Sequence, residues 1–338
     1  MTTMKGAVFF DVRDVQVVDV PKPEVGDNGV LINVKAVGVC GTDVHTYKTG
    51  VFKEMSIPTG GGYLFGHEFS GEVTEMAPNL ELEGIAVGDR VAGITLGAYS
   101  EYCVVDDSNF GEHAVFKIPD NISYEEAATI EPLTVSLSAV RRADPQPGER
   151  VLILGAGMIG LGCVQILKTL YPGCEVIISD LSEKRLDMAR EFGADRTINA
   201  AQEDLVAEMK AATGETPVLY NSKTTGHVNV VIDCAGIDIT VNQALEVISP
   251  DNGRIILIAL YENTSKLDLN QLVTKNVTMK GVLAYQMDDF RECMALMASG
   301  KIDRLPLISH RFSLDNASDA FEAQINTADT LKAVITNH

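Results

Sequence analysis

The chain has 338 residues, 46% of them hydrophobic and 22% charged, which is too long for one ordinary core and fits two domains of a globular protein. Lys and Arg total 27 against 47 Asp and Glu, and the resulting net charge of −20 repels nucleic acid and anionic membranes, excluding both as expected partners. No apolar run of about 18 residues occurs, and the first twenty residues have neither a long apolar core nor a small-residue cleavage site, so neither a spanning helix nor a signal peptide is expected.

Residues 1 to about 130 read as β-rich. "VFFDVRDVQVVDV" and "GVLINVKAVGV" carry β-branched residues on either side of the turn signals in "PKPEVGDNG", and "GDRVAGI" and "AYSEYCVV" continue the pattern. No strong helical period is visible before residue 123, so a barrel-like β domain is expected there. From residue 149 the texture changes to an alternation of strands and helices. "ERVLIL", "EVIIS", "VNVVID" and "GRIILIA" are short apolar runs of the kind buried on both faces of a parallel sheet, and "VTMKGVL" is expected to be the sixth strand. Between them lie helices: "GAGMIGLGCVQILKTLY" stops at Pro172, "SEKRLDMAREFG" is capped by Ser182 and ends at Gly193, and "DLVAEMKAATG" follows. Residues 214 to 227 read as a polar loop. The expected class is therefore α/β, with a doubly wound sheet. After residue 284, "DDFRECMALMASG" and "NASDAFEAQI" read as amphipathic helices and "LKAVIT" as a strand. This tail is too short for a domain of its own and is expected to return to the first one. The boundaries are thus 1–132 with 284–338, and 133–283.

"LILGAGMIG" places Gly155, Gly157 and Gly160 between a strand and a helix. Gly155 permits the turn, Gly157 lets a pyrophosphate approach the backbone, and Gly160 lets helix and strand pack closely. Asp180 ends the next strand at the spacing of a residue that accepts hydrogen bonds from the adenine ribose, and its charge would repel a 2′-phosphate. The expected cofactor-binding set here is Gly155, Gly157, Met158, Ile159, Gly160, Asp180 and Arg185. Arg185 lies nearby and is the residue that could instead accommodate a 2′-phosphate, but Asp180 favours NAD over NADP.

Cys40, His67, Glu68 and Glu131 are metal-capable residues. Taken singly each has an ordinary reading: a lone cysteine is core filler, a loop histidine is solvated, and a glutamate before Pro132 leads into a helix. The six cysteines, Cys40, Cys103, Cys163, Cys174, Cys234 and Cys293, include no C-x-x-C pair and imply a reducing cytoplasm rather than a disulfide scaffold.

Taken together, "GVCGTDVH", "GHEFSGEV", "GDRVAG", "YSEYCVV", "IEPLTVSLSAV", "GAGMIGLGCVQILK" and "SDLSEKRLDMAREFGAD" resemble the zinc-dependent medium-chain dehydrogenases, in order and spacing along nearly the whole chain, and within them the sorbitol (polyol) dehydrogenase branch. The resemblance implies a GroES-like catalytic domain beside a Rossmann NAD-binding domain. It implies a zinc site of Cys40, His67 and Glu68, with Glu131 where simple-alcohol enzymes carry a second cysteine. Cys40 thiolate, neutral His67 and Glu68 carboxylate balance a Zn²⁺ ion, and a directly bound Glu131 would make the site anionic, so Glu131 is expected to reach zinc through water or to exchange with it. Many relatives carry a structural zinc lobe with four cysteines. Here only "ITL" separates Gly93 from Gly97, the lobe is missing, and one zinc per chain is expected.

The implied reaction is reversible NAD-dependent oxidation of a secondary alcohol, a polyol or cyclic sugar alcohol, to a ketone, with threonine or butanediol as alternative substrates. A zinc-free quinone reductase or a non-enzymatic role would lack the intact ligand and glycine sets. Thr42 is expected to take the hydroxyl proton and pass it through the cofactor ribose to His45 and solvent. Asp43 and Lys332 match family positions close to the zinc ligands and the cofactor phosphates, and the resemblance adds Lys332 to the expected cofactor-binding residues. Tyr99 and the "GVFKEMSIPTGGGY" loop are expected to border a cleft opened by the missing lobe. A homodimer or homotetramer is expected through the sheet edge at residues 279 to 285.

Overall fold

In the computed structural model, which describes residues 2–337 apart from 109, 111, 112, 220–222 and 327–329, the chain forms two compact units: Met1–Glu131 with Phe290–His338, and Pro132–Asp289. The second junction lies at 289/290 rather than at 283/284, because Phe290 stacks on Phe116 of the first unit with ring centroids 4.5 Å apart.

The first unit is organised by the strand Val30–Gly38, whose near-continuous apolar run is buried along most of its length. It lies between Glu68–Met76 on one side and Lys332–Thr336 on the other, both antiparallel to it. The C-terminal strand therefore does return to the first unit, within a seven-stranded sheet that also contains Ile308–Ser313, Arg90–Ile94, Val115–Lys117 and Tyr102–Val105. A smaller four-stranded sheet is built on the pairing of Thr3–Asp11 with Asp14–Pro21. Phe9, Phe65, Phe69, Tyr99 and Phe321 fill the core of this unit, each at most 2% exposed, and burial of each such ring is worth roughly 1.5–3 kcal/mol.

One helix in this unit has no helical hydrophobic period. Gly41–Thr49 is helical, although its buried residues are Asp43, Thr46 and Tyr47 and it has no apolar stripe. Its ends hold it instead. The Cys40 amide donates to Asp43 Oδ2 at 3.3 Å, and Gly50, at φ +75°, returns its N–H to the Thr46 carbonyl.

The second unit contains six parallel strands, Arg150–Leu154, Glu175–Asp180, Arg196–Asn199, Val230–Asp233, Arg254–Leu257 and Thr278–Gly281, in the spatial order 3-2-1-4-5-6. That is the doubly wound dinucleotide-binding order, in which ligands sit at the carboxyl ends of the strands where the order reverses. The helices Met158–Leu170 and Glu183–Glu191 begin and end as their glycines and Ser182 suggest, although the Ser182 side chain makes no capping bond. The 214–227 stretch holds a two-strand pairing of Thr216–Pro217 with Thr224–Thr225 rather than loop alone. Among the described residues no helix is long and apolar enough to cross a membrane.

Lys275, 1% exposed at the end of the helix Leu269–Lys275, donates to Thr225 Oγ1 at 2.9 Å and to the Leu245 carbonyl. It thus satisfies a carbonyl in the last turn of the helix Asp238–Val247. Burial lowers its pKa from 10.5 to about 8. The charged form is disfavoured in the folded state, so the penalty is fully present below about pH 8 and fades as pH rises toward the unfolded value of 10.5, a gain on the order of 3 kcal/mol. Chemical denaturation at pH 7.5 and 10 should show this rise in wild type and lose it in Lys275→Met. Equal pH slopes in the two proteins would contradict this assignment.

Candidate metal centre

Strand register builds the site. Gly38 faces Glu68 across one edge of its strand and Val334 across the other, so Cys40, Glu68 and Lys332 converge just beyond the strand end. The Cys40 thiol, a ring nitrogen of His67 and a Glu68 carboxylate oxygen lie within 4.8 Å of one another. This is the spacing of a closed donor set, and thiolate, imidazole and carboxylate are the zinc-binding chemistries. Glu68 is 1% exposed, and neither of its oxygens accepts a hydrogen bond. A buried carboxylate in that condition costs free energy unless a cation faces it.

Part of that need is met by Lys332, whose Nζ forms an ion pair with Glu68 Oε2 at 2.5 Å. The same ammonium donates to the Val39 carbonyl at 2.8 Å. Lys332 is 2% exposed and thus committed to the Cys40–His67–Glu68 cluster. The pair fits only because residue 38 is glycine: a Cβ there would lie 2.1 Å from Glu68 Oε2 and 2.8 Å from Lys332 Cε.

Behind His67 stands Asp43, buried on the helix Gly41–Thr49, with its Oδ1 3.6 Å from His67 Nδ1. Burial opposes protonation of His67, but Asp43, Cys40 and Glu131 outweigh it and hold the imidazole pKa well above its usual value in the metal-free site. Desolvation raises the pKa of Asp43. Glu131, 8% exposed in the first turn of the helix Ile130–Ala143, stands outside the trio but near enough for its charge to reach His67. Thr42 Oγ1 lies 3.7 Å from Cys40 Sγ. His45, half-buried, follows three residues later on the same helix face.

Tyr99 does not border a cleft as expected. It is completely buried and its hydroxyl is turned to Asp43. The aromatic position before "SEY" was visible in the sequence, but nothing there indicated where the hydroxyl pointed.

In the second unit, Gly157 precedes the helix that begins with Met158 and Ile159. A Cβ on Gly160 would lie 1.9 Å from the Gly155 carbonyl oxygen, so that position accepts only glycine. A Cβ on Gly157 would meet nothing nearer than Arg185 Nη1 at 3.8 Å, so its outer face is open, as a pyrophosphate requires. Asp180 braces the turn: Oδ2 accepts from the Ala156 amide at 2.7 Å and Oδ1 from the Ser182 amide at 2.9 Å. Arg185 Nη1 is 3.9 Å from Asp180 Oδ2.

Residues 159–299 match the family described as zinc-binding dehydrogenase, and residues 26–120 the alcohol dehydrogenase GroES-like domain. An L-threonine 3-dehydrogenase of Pseudoalteromonas translucida is 32% identical over 91% of this chain and 92% of its own length. A sorbitol dehydrogenase of Rattus norvegicus is 31% identical over 91% and 89%. The crystal structure of 2R,3R-butanediol dehydrogenase from Bacillus subtilis superposes with a TM-score of 0.81, covering 99% of this chain and all of that one at 28% identity. The GroES-like and doubly wound units, the metal-capable trio and these similarities together make the chain an oxidoreductase of the zinc-dependent medium-chain dehydrogenase superfamily, in its polyol dehydrogenase branch.

Proposed function

We propose that this chain binds one zinc ion through Cys40, His67 and Glu68 and oxidises a secondary alcohol of a polyol or cyclic sugar alcohol to a ketone with NAD. The observation that carries the reading is the buried Glu68 carboxylate, whose oxygens accept no hydrogen bond while a thiol and an imidazole stand beside it. Bound zinc supplies the Lewis acidity that favours ionisation of the alcohol, and bound NAD supplies the hydride acceptor. Asp43 orients His67. Thr42 accepts the hydroxyl proton, and His45 on the same helix face delivers it to solvent. Lys332 offsets one of the negative charges gathered by Glu68, Asp43 and Glu131, which preserves the electrophilicity of the site. In the second unit the turn at Gly155, Gly157 and Gly160 receives the pyrophosphate, and Asp180 selects NAD by its charge.

The polyol assignment rests on Glu131, a carboxylate where simple-alcohol enzymes have a cysteine, which makes the site polar enough to hold neighbouring hydroxyls. L-Threonine and butanediol are the alternative substrates, motivated by relatives of nearly equal similarity. A panel of sorbitol, inositols, 2,3-butanediol, L-threonine and 2-propanol with NAD and NADP decides between them. The polyols should exceed 2-propanol and threonine in kcat/KM by at least about a hundredfold, because a site built for several hydroxyls rejects analogues that leave its polar groups unpaired. NAD should be preferred over NADP. A best rate with threonine or 2-propanol would refute the polyol assignment, and a preference for NADP would refute the role of Asp180.

The protein acts as a homo-oligomer joined through the sheet edge at Thr278–Gly281. Among the described residues that strand pairs only with Arg254–Leu257, and Leu283 and Val273 nearby are 82% and 77% exposed. An unpaired edge beside exposed apolar side chains favours pairing with a second copy. Light scattering at micromolar concentration should give at least a dimer, and a monomer would exclude this contact. The six free cysteines favour the cytoplasm, which fractionation of the native cells would check.

A further inference from the structure

We infer that Tyr99 is a positioning residue for the metal centre: its hydroxyl fixes Asp43, and through Asp43 the orientation of His67. The inference rests on the zinc reading above. The Tyr99 hydroxyl lies 2.6 Å from Asp43 Oδ2 and 3.0 Å from the Gly38 carbonyl oxygen. The shorter contact is the length of a charge-assisted O–H···O⁻ bond, about twice as strong as a neutral one. The Cys40 amide approaches the same oxygen at 3.3 Å. Two donors on Oδ2 leave Oδ1 turned to His67 Nδ1, 3.6 Å away, and His67 Nε2 is then the nitrogen left for a metal. A carboxylate behind a ligating imidazole sets its tautomer, its orientation and its basicity.

The ring of Tyr99 cannot move to release this bond. It makes edge contacts with Phe65 and Phe321 at centroid distances of 5.2 and 5.4 Å. It also packs on Gly66, the residue directly before His67. A Cβ on Gly66 would lie 2.5 Å from Tyr99 Cδ2, and its φ of +95° is a conformation that glycine takes without strain. The same contact therefore sets the backbone that presents His67 and the ring that anchors its carboxylate. Burial, with Asp43 adding to it, pushes the Tyr99 phenol well above its ordinary pKa, so it remains a donor at every working pH.

Tyr99→Phe removes only the hydroxyl and keeps the ring. Zinc affinity of the chelator-stripped protein should be measured by competition with a metal-binding dye, and the absorption spectrum of the cobalt(II) form recorded. Partners behind metal-ligating histidines change affinity by about 10- to 100-fold, so Tyr99→Phe, acting one step further out, should weaken zinc by about tenfold and shift the cobalt bands. Val91→Ala, which opens a cavity in the same core but leaves the ring contacts of Tyr99 in place, should lower thermal stability and leave zinc affinity and cobalt spectrum as in wild type. Tyr99→Phe with zinc affinity within about twofold of wild type and an unchanged cobalt spectrum would overturn the inference while leaving the zinc reading intact. An equal loss of affinity in Val91→Ala would also overturn it, by reducing the effect of Tyr99→Phe to general loss of core packing. A wild-type protein that binds no zinc would remove both readings together.

Discussion

Cys40→Ser should abolish zinc binding and reduce kcat/KM by at least about a thousandfold, while the protein stays folded. The magnitude follows from the several kcal/mol that a metal contributes to stabilising developing charge, at about 1.4 kcal/mol per factor of ten. The substitution replaces a soft anionic donor with a neutral hydroxyl, so the site loses both a ligand and the charge that balances the ion. The fold has no reason to suffer. Cys40 is the N-cap of Gly41–Thr49, in a capping box with Asp43, and serine is among the favoured residues at that position, so the substitution keeps the helix end capped. Zinc content, turnover and thermal unfolding of the metal-free proteins should be measured on the same preparations. Activity retained without zinc, or a metal-free variant much less stable than metal-free wild type, would contradict the assignment of Cys40 as a ligand rather than a packing residue.

The second large effect is expected at Lys332. Replacing it with Met removes the cation from a buried ion pair and leaves Glu68, 1% exposed, without it. Breaking such a pair from one side costs about 3–5 kcal/mol, because the surviving charge is stranded in a poor solvent. That is a large share of a total stability of roughly 5–15 kcal/mol. The cost should depend on the metal. With zinc removed, Lys332→Met should show close to the full loss in denaturant titrations. With zinc bound, Glu68 regains a cation and the loss should shrink by at least about half, since an ion that binds only the folded state adds stability by mass action. Equal destabilisation in both forms would mean that Glu68 does not face the metal.

Much of this architecture was legible from the residues because each part leaves a local mark. The parallel strands of the second unit are short, continuous apolar runs, since both faces of that sheet are covered. The glycine turn is recognisable because backbone approach forbids a side chain, and Gly160 meets that constraint with a 1.9 Å clearance that no Cβ tolerates. Other parts leave no such mark. The helix Gly41–Thr49 buries an aspartate, a threonine and a tyrosine rather than an apolar stripe, so its hydrophobic period is absent and its polar caps do the work. Lys332 and Glu68 meet through the register of three antiparallel strands, a long-range property that neither residue's neighbours encode. Tyr99 could be placed in a strand motif, but the direction of its hydroxyl depends on Gly66 and on Phe321 from the far end of the chain.

Zinc-edge X-ray absorption of protein purified without chelator reads the ligand set directly. It should give about one zinc per chain, with a single sulfur at about 2.3 Å and nitrogen or oxygen ligands at about 2.0–2.2 Å. Protein without zinc, or zinc with two or more sulfur ligands, would contradict a centre built from Cys40, His67 and Glu68.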